Sequence, residues 1–400
     1  MQSRFGAALR SKPLLTILAA ILLSGSLGSL HAFSVFLEPL ERSFSATRAE
    51  VSLLYSLATA CLTLSLLGGH VLYRLIPPAA LAGLVGLVAA IGMAVAGAGS
   101  SLLVIGFGYS VLFGMANGIG YGFSLQIARQ ALPDRKGFAI GAVTAAYAFG
   151  VVIFARVFAV LIAVGGAGTA MLVMAGVLLC AGAGAASLLK LSRAGEFAPA
   201  PLLLPIDGAL RDRRLFSLLW TGYCLAAAAG LMAMGHAAGI VAAKGGQAEQ
   251  LVFGTMLIGL GNGAGGFTAG WLADRWPGRI LLMFFTILSA AVLALLAYTT
   301  SPVAAIVALA SVGFAYGGII AIYPIAIADY YRPEDVAKVF GRVFTAWGIA
   351  GLAAPWIAGI LFDASGSYVL ALALAAVAAL FAAATAMTLP CVGLPSPEPG

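Results

Sequence analysis

Apolar stretches long enough to cross a lipid bilayer recur along the chain from Pro13 to about Leu389, separated by short polar connections. A hydrocarbon core about 30 Å thick takes about 20 apolar residues of α-helix. The pattern predicts spans at 14–37, 51–73, 79–98, 102–128, 138–163, 168–190, 215–241, 251–273, 280–299, 303–328, 338–361 and 368–389. The expected fold class is an all-α membrane protein with about twelve transmembrane helices. Leu191 to Arg214 is the longest polar connection; it carries Pro199, Pro201 and Pro205 with Lys/Arg at both ends. It reads as a cytoplasmic linker between a six-helix bundle at 1–190 and a second at 215–400. Its apolar piece, Leu202 to Ile206, is expected at the membrane surface.

The two halves repeat at an offset near 200 residues. Arg129, Pro133, Asp134 and Gly141 align with Asp329, Pro333, Glu334 and Gly341, and Gly69 and Arg74 align with Gly270 and Arg275. Two matches at nearly one offset predict homologous six-helix pseudo-repeats, an architecture associated with alternating access to a midplane site. Thr47-Arg48-Ala49-Glu50 ahead of the second span fits a capping box that starts that helix.

Composition agrees with the pattern. Hydrophobic residues make up 62% of the 400 and charged residues 9%, against roughly a quarter charged in soluble domains, and mean hydropathy is +1.06. The net charge of +7 lies on short connections, not on one basic face, which argues against a nucleic-acid partner. With both termini cytoplasmic, 17 Lys/Arg fall inside, three fall outside (Arg42, Arg48, Lys244), and Arg156 lies within a span. That bias follows the positive-inside rule. Cys61, Cys180, Cys224 and Cys391 have no paired spacing, so neither a disulfide nor a zinc site is implied. Arg4, Arg10 and Lys12 before an apolar run resemble a signal peptide, but the run continues to Leu37 and further spans follow.

Gly270-Trp271-Leu272-Ala273-Asp274-Arg275-Trp276-Pro277-Gly278-Arg279 resembles the loop signature of the major facilitator superfamily. Physically such a loop asks for Gly at a close helix approach and an acid near a helix N-terminus. The first-half counterpart is degraded: Tyr73 stands where the family has Asp, and Pro77 where it has Gly. Phe33 to Leu40, Arg48 to Ser52 and Ala229 to His236 are similar to the oxalate/formate antiporter and monocarboxylate porter group. The resemblance implies the major facilitator fold, transport without a cofactor, and a small-molecule substrate moved by symport or antiport. Carriers of that group often place an Arg in the eighth span and a Lys in the eleventh. Here Asn262-Gly263-Ala264-Gly265-Gly266 and Thr345-Ala346-Trp347 supply neither, so a dianion held by two such cations is not expected.

Arg156 is the leading candidate for substrate binding, since a cation within a span is costly unless it meets water, a partner or the protein interior. The competing reading is a side chain snorkelling to the interface. His31, at similar depth, titrates near neutrality when unperturbed and is a candidate for proton coupling; the alternative is a packing histidine beside Gly25, Gly28 and Ser29. Asn117, Tyr121, Asn262, Tyr316, Tyr323 and Trp347 complete the expected substrate-binding set, because binding sites combine a few polar groups with apolar walls. Tyr147 is left out, being on the helix face opposite Arg156. His70 and His236 are expected to be structural or at the surface. Gly270, Asp274, Arg275, Gly278 and Arg279 form the expected gating loop.

Gly118-Ile119-Gly120-Tyr121-Gly122 follows no strand, which excludes a nucleotide-binding reading. No nucleophile, base or metal-ligand set converges, so an enzyme is not expected. These observations predict a secondary transporter of a small organic anion, a monocarboxylate, in a bacterial inner (plasma) membrane. Export of drugs or metabolites and a non-transporting sensor are the alternatives.

Overall fold

The computed structural model describes residues 12–192 and 212–390. Arg4, Arg10, most of the expected linker with Leu202 to Ile206, and Cys391 lie outside the described residues. Helix α1 is Pro13–Phe44, α2 Arg48–Leu75, α3 Pro78–Gly97 and α4 Leu102–Ala131. Lys136–Ser192 is one helical run with non-helical backbone at Gly166 (φ 81°, ψ 177°), and its two arms are α5 (136–165) and α6 (167–192). The second half contains α7 Arg213–Ala243, α8 Ala248–Ala273, α9 Gly278–Tyr298, α10 Pro302–Tyr330, α11 Pro333–Ser365 and α12 Val369–Thr388. Among the described residues, eleven stretches are long and apolar enough to span a membrane. The 60-residue stretch Pro133–Ser192 contains two of the expected spans. The expected gap between them is absent because Gly166 reverses the chain at a φ that L side chains rarely adopt.

The chain divides into two compact units, Met1–Leu202 and Leu203–Gly400. The helix starts repeat between them at an offset of 200. Thr47 and Glu50 form the expected capping box on α2, and Gln247 and Gln250 form one on α8. Pro77 and Pro277 precede α3 and α9 with near-identical dihedrals, φ −56° and ψ 141° against φ −55° and ψ 141°. Ser101 and Ser301 accept the backbone N–H of Val104 and Ala304 at the starts of α4 and α10. These side chains satisfy amide groups that the first helical turn leaves without partners.

Glycines set the internal spacing of each unit. A Cβ at Gly114 or Gly118 of α4 would strike the α2 backbone at Ala58 or Leu62. At the matching positions of unit 2, Gly313 and Gly317 of α10 meet Ile258 and Asn262 of α8, while Gly261 and Gly265 of α8 meet Ala310 and Phe314 of α10. Leu84, Leu87 and Ile91 of α3, Leu172 and Leu179 of α6, Phe284 and Ile287 of α9 and Leu374 and Phe381 of α12 are exposed. In a bilayer these apolar faces lie against lipid, where they carry no penalty.

The helix contact gives a direct test. Gly317→Ala forces α8 from α10 and is expected to cost on the order of 1–3 kcal/mol. Gly141→Ala, where an added Cβ meets nothing within 4 Å, should leave stability unchanged or slightly raised. Thermal unfolding midpoints of the two purified variants in one detergent should therefore separate, with only Gly317→Ala lowered.

Candidate functional site

In unit 1, α1 changes pitch. Gly28–Phe36 is a 3-10 helix, and Gly106–Phe113 of α4 is a π-helix. Such changes of register leave carbonyls short of their usual partners. Side chains from α4 take two of them: Asn117 Nδ2 donates to the Leu27 carbonyl at 2.6 Å and Tyr109 Oη to the Leu30 carbonyl at 2.9 Å. Ser110 Oγ of the π segment donates to Leu54 O of α2 at 2.6 Å.

A polar network grows from this junction. Tyr147 Oη donates to Asn117 Oδ1 at 2.9 Å, and His31 Nδ1 lies 2.6 Å from Tyr55 Oη. The His31 ring meets the Tyr147 ring edge-on at 5.6 Å, and the Tyr121 and Tyr147 rings are 4.7 Å apart. Tyr121 Oη is 3.5 Å from Thr144 Oγ1. His31, Asn117 and Tyr147 are buried, and Tyr121 is half-buried. Backbone contact permits this convergence, since a Cβ at Gly28 would strike the Tyr147 carbonyl and one at Gly150 the Gly25 carbonyl.

Three expected residues, His31, Asn117 and Tyr121, thus come together. Tyr147, set aside on rotational grounds, is their common neighbour, and Tyr55 joins them through His31. Arg156 does not belong to this group. It is exposed, on the α5 face opposite Tyr147, and has no ion-pair partner among the described residues. The polar network collects on Tyr147's face of α5.

Unit 2 distributes its candidates differently. Trp347 Nε1 donates to Tyr316 Oη at 2.7 Å, and the Trp347 ring stacks on Phe344 at 5.3 Å. The Tyr316 ring fills the space over Gly230. Tyr323 packs on Tyr223 at 4.2 Å, and Tyr223 touches Phe344 at 6.4 Å. Asn262 presents its backbone and Oδ1 to Gly317, which makes it part of the α8–α10 contact. His236, fully buried, is structural as expected: Nε2 lies 2.8 Å from the Pro355 carbonyl and Nδ1 3.0 Å from Tyr368 Oη. A carbonyl only accepts, so Nε2 carries the proton in the neutral ring and Nδ1 accepts from Tyr368. His70 Nδ1 is 2.9 Å from the Leu67 carbonyl of its own helix.

Residues of the expected gating loop join the start of α9 to α10 and α12. Asp274 is exposed at the C-terminal end of α8, not at a helix N-terminus. Asp329 of α10 takes that place, accepting the Gly278 N–H at 3.3 Å at the start of α9. Arg279 donates to the Ala386 and Met387 carbonyls at the end of α12, at 3.3 and 2.6 Å. Both pairings suit the helix dipole. Arg275 folds back over Trp271, 4.0 Å from its ring. Gly278 has the close neighbour expected of it, in α10, whereas Gly270 faces open space. In unit 1, Tyr73 donates to the Ile119 carbonyl at 2.9 Å, joining α2 to α4 with a neutral bond where the family has a carboxylate. Among the described residues no three His, Cys, Asp or Glu side chains gather as metal ligands.

Residues 219–400 match the sequence profile of the Major Facilitator Superfamily. The chain is 22% identical over 343 residues to the uncharacterized MFS-type transporter YhjX of Escherichia coli (strain K12), covering 84% of this chain and 85% of that one. It is 29% identical over 143 residues to monocarboxylate transporter 13 of Bos taurus, covering 34% and 33%. A solved peptide transporter, POT, superposes with a TM-score of 0.76 at 11% identity, covering 94% of each chain, which speaks to the fold. In its second half, and through a distant relative matched along most of its length, the chain is similar to the major facilitator superfamily.

Proposed function

We propose that this chain is a secondary transporter of a small organic anion, a monocarboxylate, working by alternating access. One observation carries the reading: Arg156 is a cation in the interior of α5 with an exposed side chain and no acidic partner among the described residues. A cation at that depth costs a few kcal/mol unless something neutralises it, and a carboxylate does so with two parallel hydrogen bonds. The partial likeness to a protein named as a monocarboxylate transporter supports this substrate class. We assign the unit 1 network of His31, Tyr55, Asn117, Tyr121 and Tyr147 to proton coupling, because His31 is its one imidazole. We assign both termini to the cytoplasmic side, a reading that the distribution of Lys and Arg supports.

Uptake of labelled acetate or lactate into proteoliposomes is the test. Arg156→Ala should weaken apparent affinity about thirtyfold or more, as expected when one partner of a hydrogen-bonded charge pair is lost at a cost of about 2–5 kcal/mol. Arg156→Lys should retain part of the activity. Parent-like uptake by Arg156→Ala, at matched abundance, would remove the anion reading.

His31→Gln should flatten the dependence of uptake on external pH, since the substitution removes the one imidazole of the network. An unchanged pH profile would assign His31 to packing alone. A reporter fused after Gly400 should be active only when it matures in the cytoplasm; activity confined to the far side would reverse the topology.

A further inference from the structure

The face of α5 that carries Arg156 also carries a groove. Ile21, Leu22 and Gly25 of α1, Phe149 and Ile153 of α5, and Val173 and Gly176 of α6 line an open cavity of about 920 Å³. The lining is almost wholly apolar. Its floor exists because α1 and α5 approach through Gly25 and Gly150, with no side chain between them. At Gly176 an added Cβ would meet nothing within 4 Å, so the α6 wall faces empty space.

Arg156 follows Phe154, the last α5 residue of the lining, by two positions and is not itself part of the lining. At about 100° per residue, its side chain leaves α5 about 60° from Ile153 and about 20° from Phe149, both of which line the cavity. The reversal at Gly166 sets the level: Arg156 precedes it by ten residues and Gly176 follows it by ten, so both lie about 15 Å from the turn along their helices. No carboxylate occurs in α5 or α6 to neutralise the cation. An exposed cation beside an open apolar groove matches an anionic head on a single apolar chain.

Building on the anion reading above, we propose that the groove holds the hydrocarbon chain of a carboxylate whose head sits on Arg156. The carrier's substrates then extend to amphiphilic monocarboxylates of medium chain length, which enter sideways from the bilayer. The cavity volume falls within the range of ligand pockets, about 300–1,000 Å³, and each methylene buried in it should tighten binding about threefold to fourfold.

The test is competition against labelled acetate uptake in proteoliposomes by unlabelled butyrate, hexanoate, octanoate and decanoate. Chain length also raises partition into the lipid, so the parent is compared in identical vesicles with Gly176→Phe, which fills the groove, and with Val173→Trp at a half-exposed wall position. The expected result is an inhibition constant that falls more steeply with chain length in the parent than in either variant. Equal slopes in all three proteins would overturn the groove proposal and leave the anion reading standing. An acidic phospholipid that co-purifies with the parent and is lost from Gly176→Phe would also overturn it, by showing a different occupant. Failure of carboxylates of every length to be taken up or to compete would overturn the anion reading itself, and the groove proposal with it.

Discussion

Burying apolar surface does little to draw helices together inside a bilayer, because lipid is as apolar as the side chains that would be buried. Cohesion within each unit therefore depends on backbone meeting backbone. Gly261, Gly265, Gly313 and Gly317 interlock α8 with α10, and Gly114 and Gly118 seat α4 on α2. Much else follows from these contacts. Asn262 is spent on one of them, Tyr316 lies flat over another glycine, and the approach of α1 to α5 at Gly25, Gly28 and Gly150 brings Tyr147 to His31 while hollowing the outer groove.

The two units share a plan and differ in regularity. Their helix starts agree at an offset of 200 down to dihedral angles, yet unit 1 contains a 3-10 segment in α1 and a π segment in α4, while α7 and α10 are assigned as continuous α-helices. Irregular backbone in a membrane must find partners for its carbonyls, and those of Leu27 and Leu30 do so in Asn117 and Tyr109. The polar network of unit 1 is thus tied to its bent helices. Unit 2 invests its buried histidine instead in joining α7 to Pro355 of α11 and to Tyr368 at the start of α12.

Features written locally were legible in the sequence. Spans followed from length and hydropathy, and the Thr47 capping box from its spacing. The matching Gln247 box is not legible from spacing alone, because Gln is an unusual cap. The pairing of Asp329 with Gly278 spans 51 residues and left no local signal, so the acid at the α9 N-terminus was sought at Asp274. Tyr147 and Arg156 lie on opposite faces of α5, and the polar network gathers on the Tyr147 face. No spacing rule says that α1 and α4 meet α5 on the face away from its only interior cation, because that depends on which glycines touch.

Gly166 has a further consequence for how the protein is made. One residue with positive φ separates two apolar arms, and neighbouring Val164 is exposed with no polar loop beside it. A span that enters the membrane alone needs a hydrophilic segment to hold its trailing end in water, and α5 has none. Its arms are therefore suited to partition into lipid together, as one helical hairpin leaving the translocation machinery in a single event. The exposed tip, Ala163 to Gly166, carries no polar side chain.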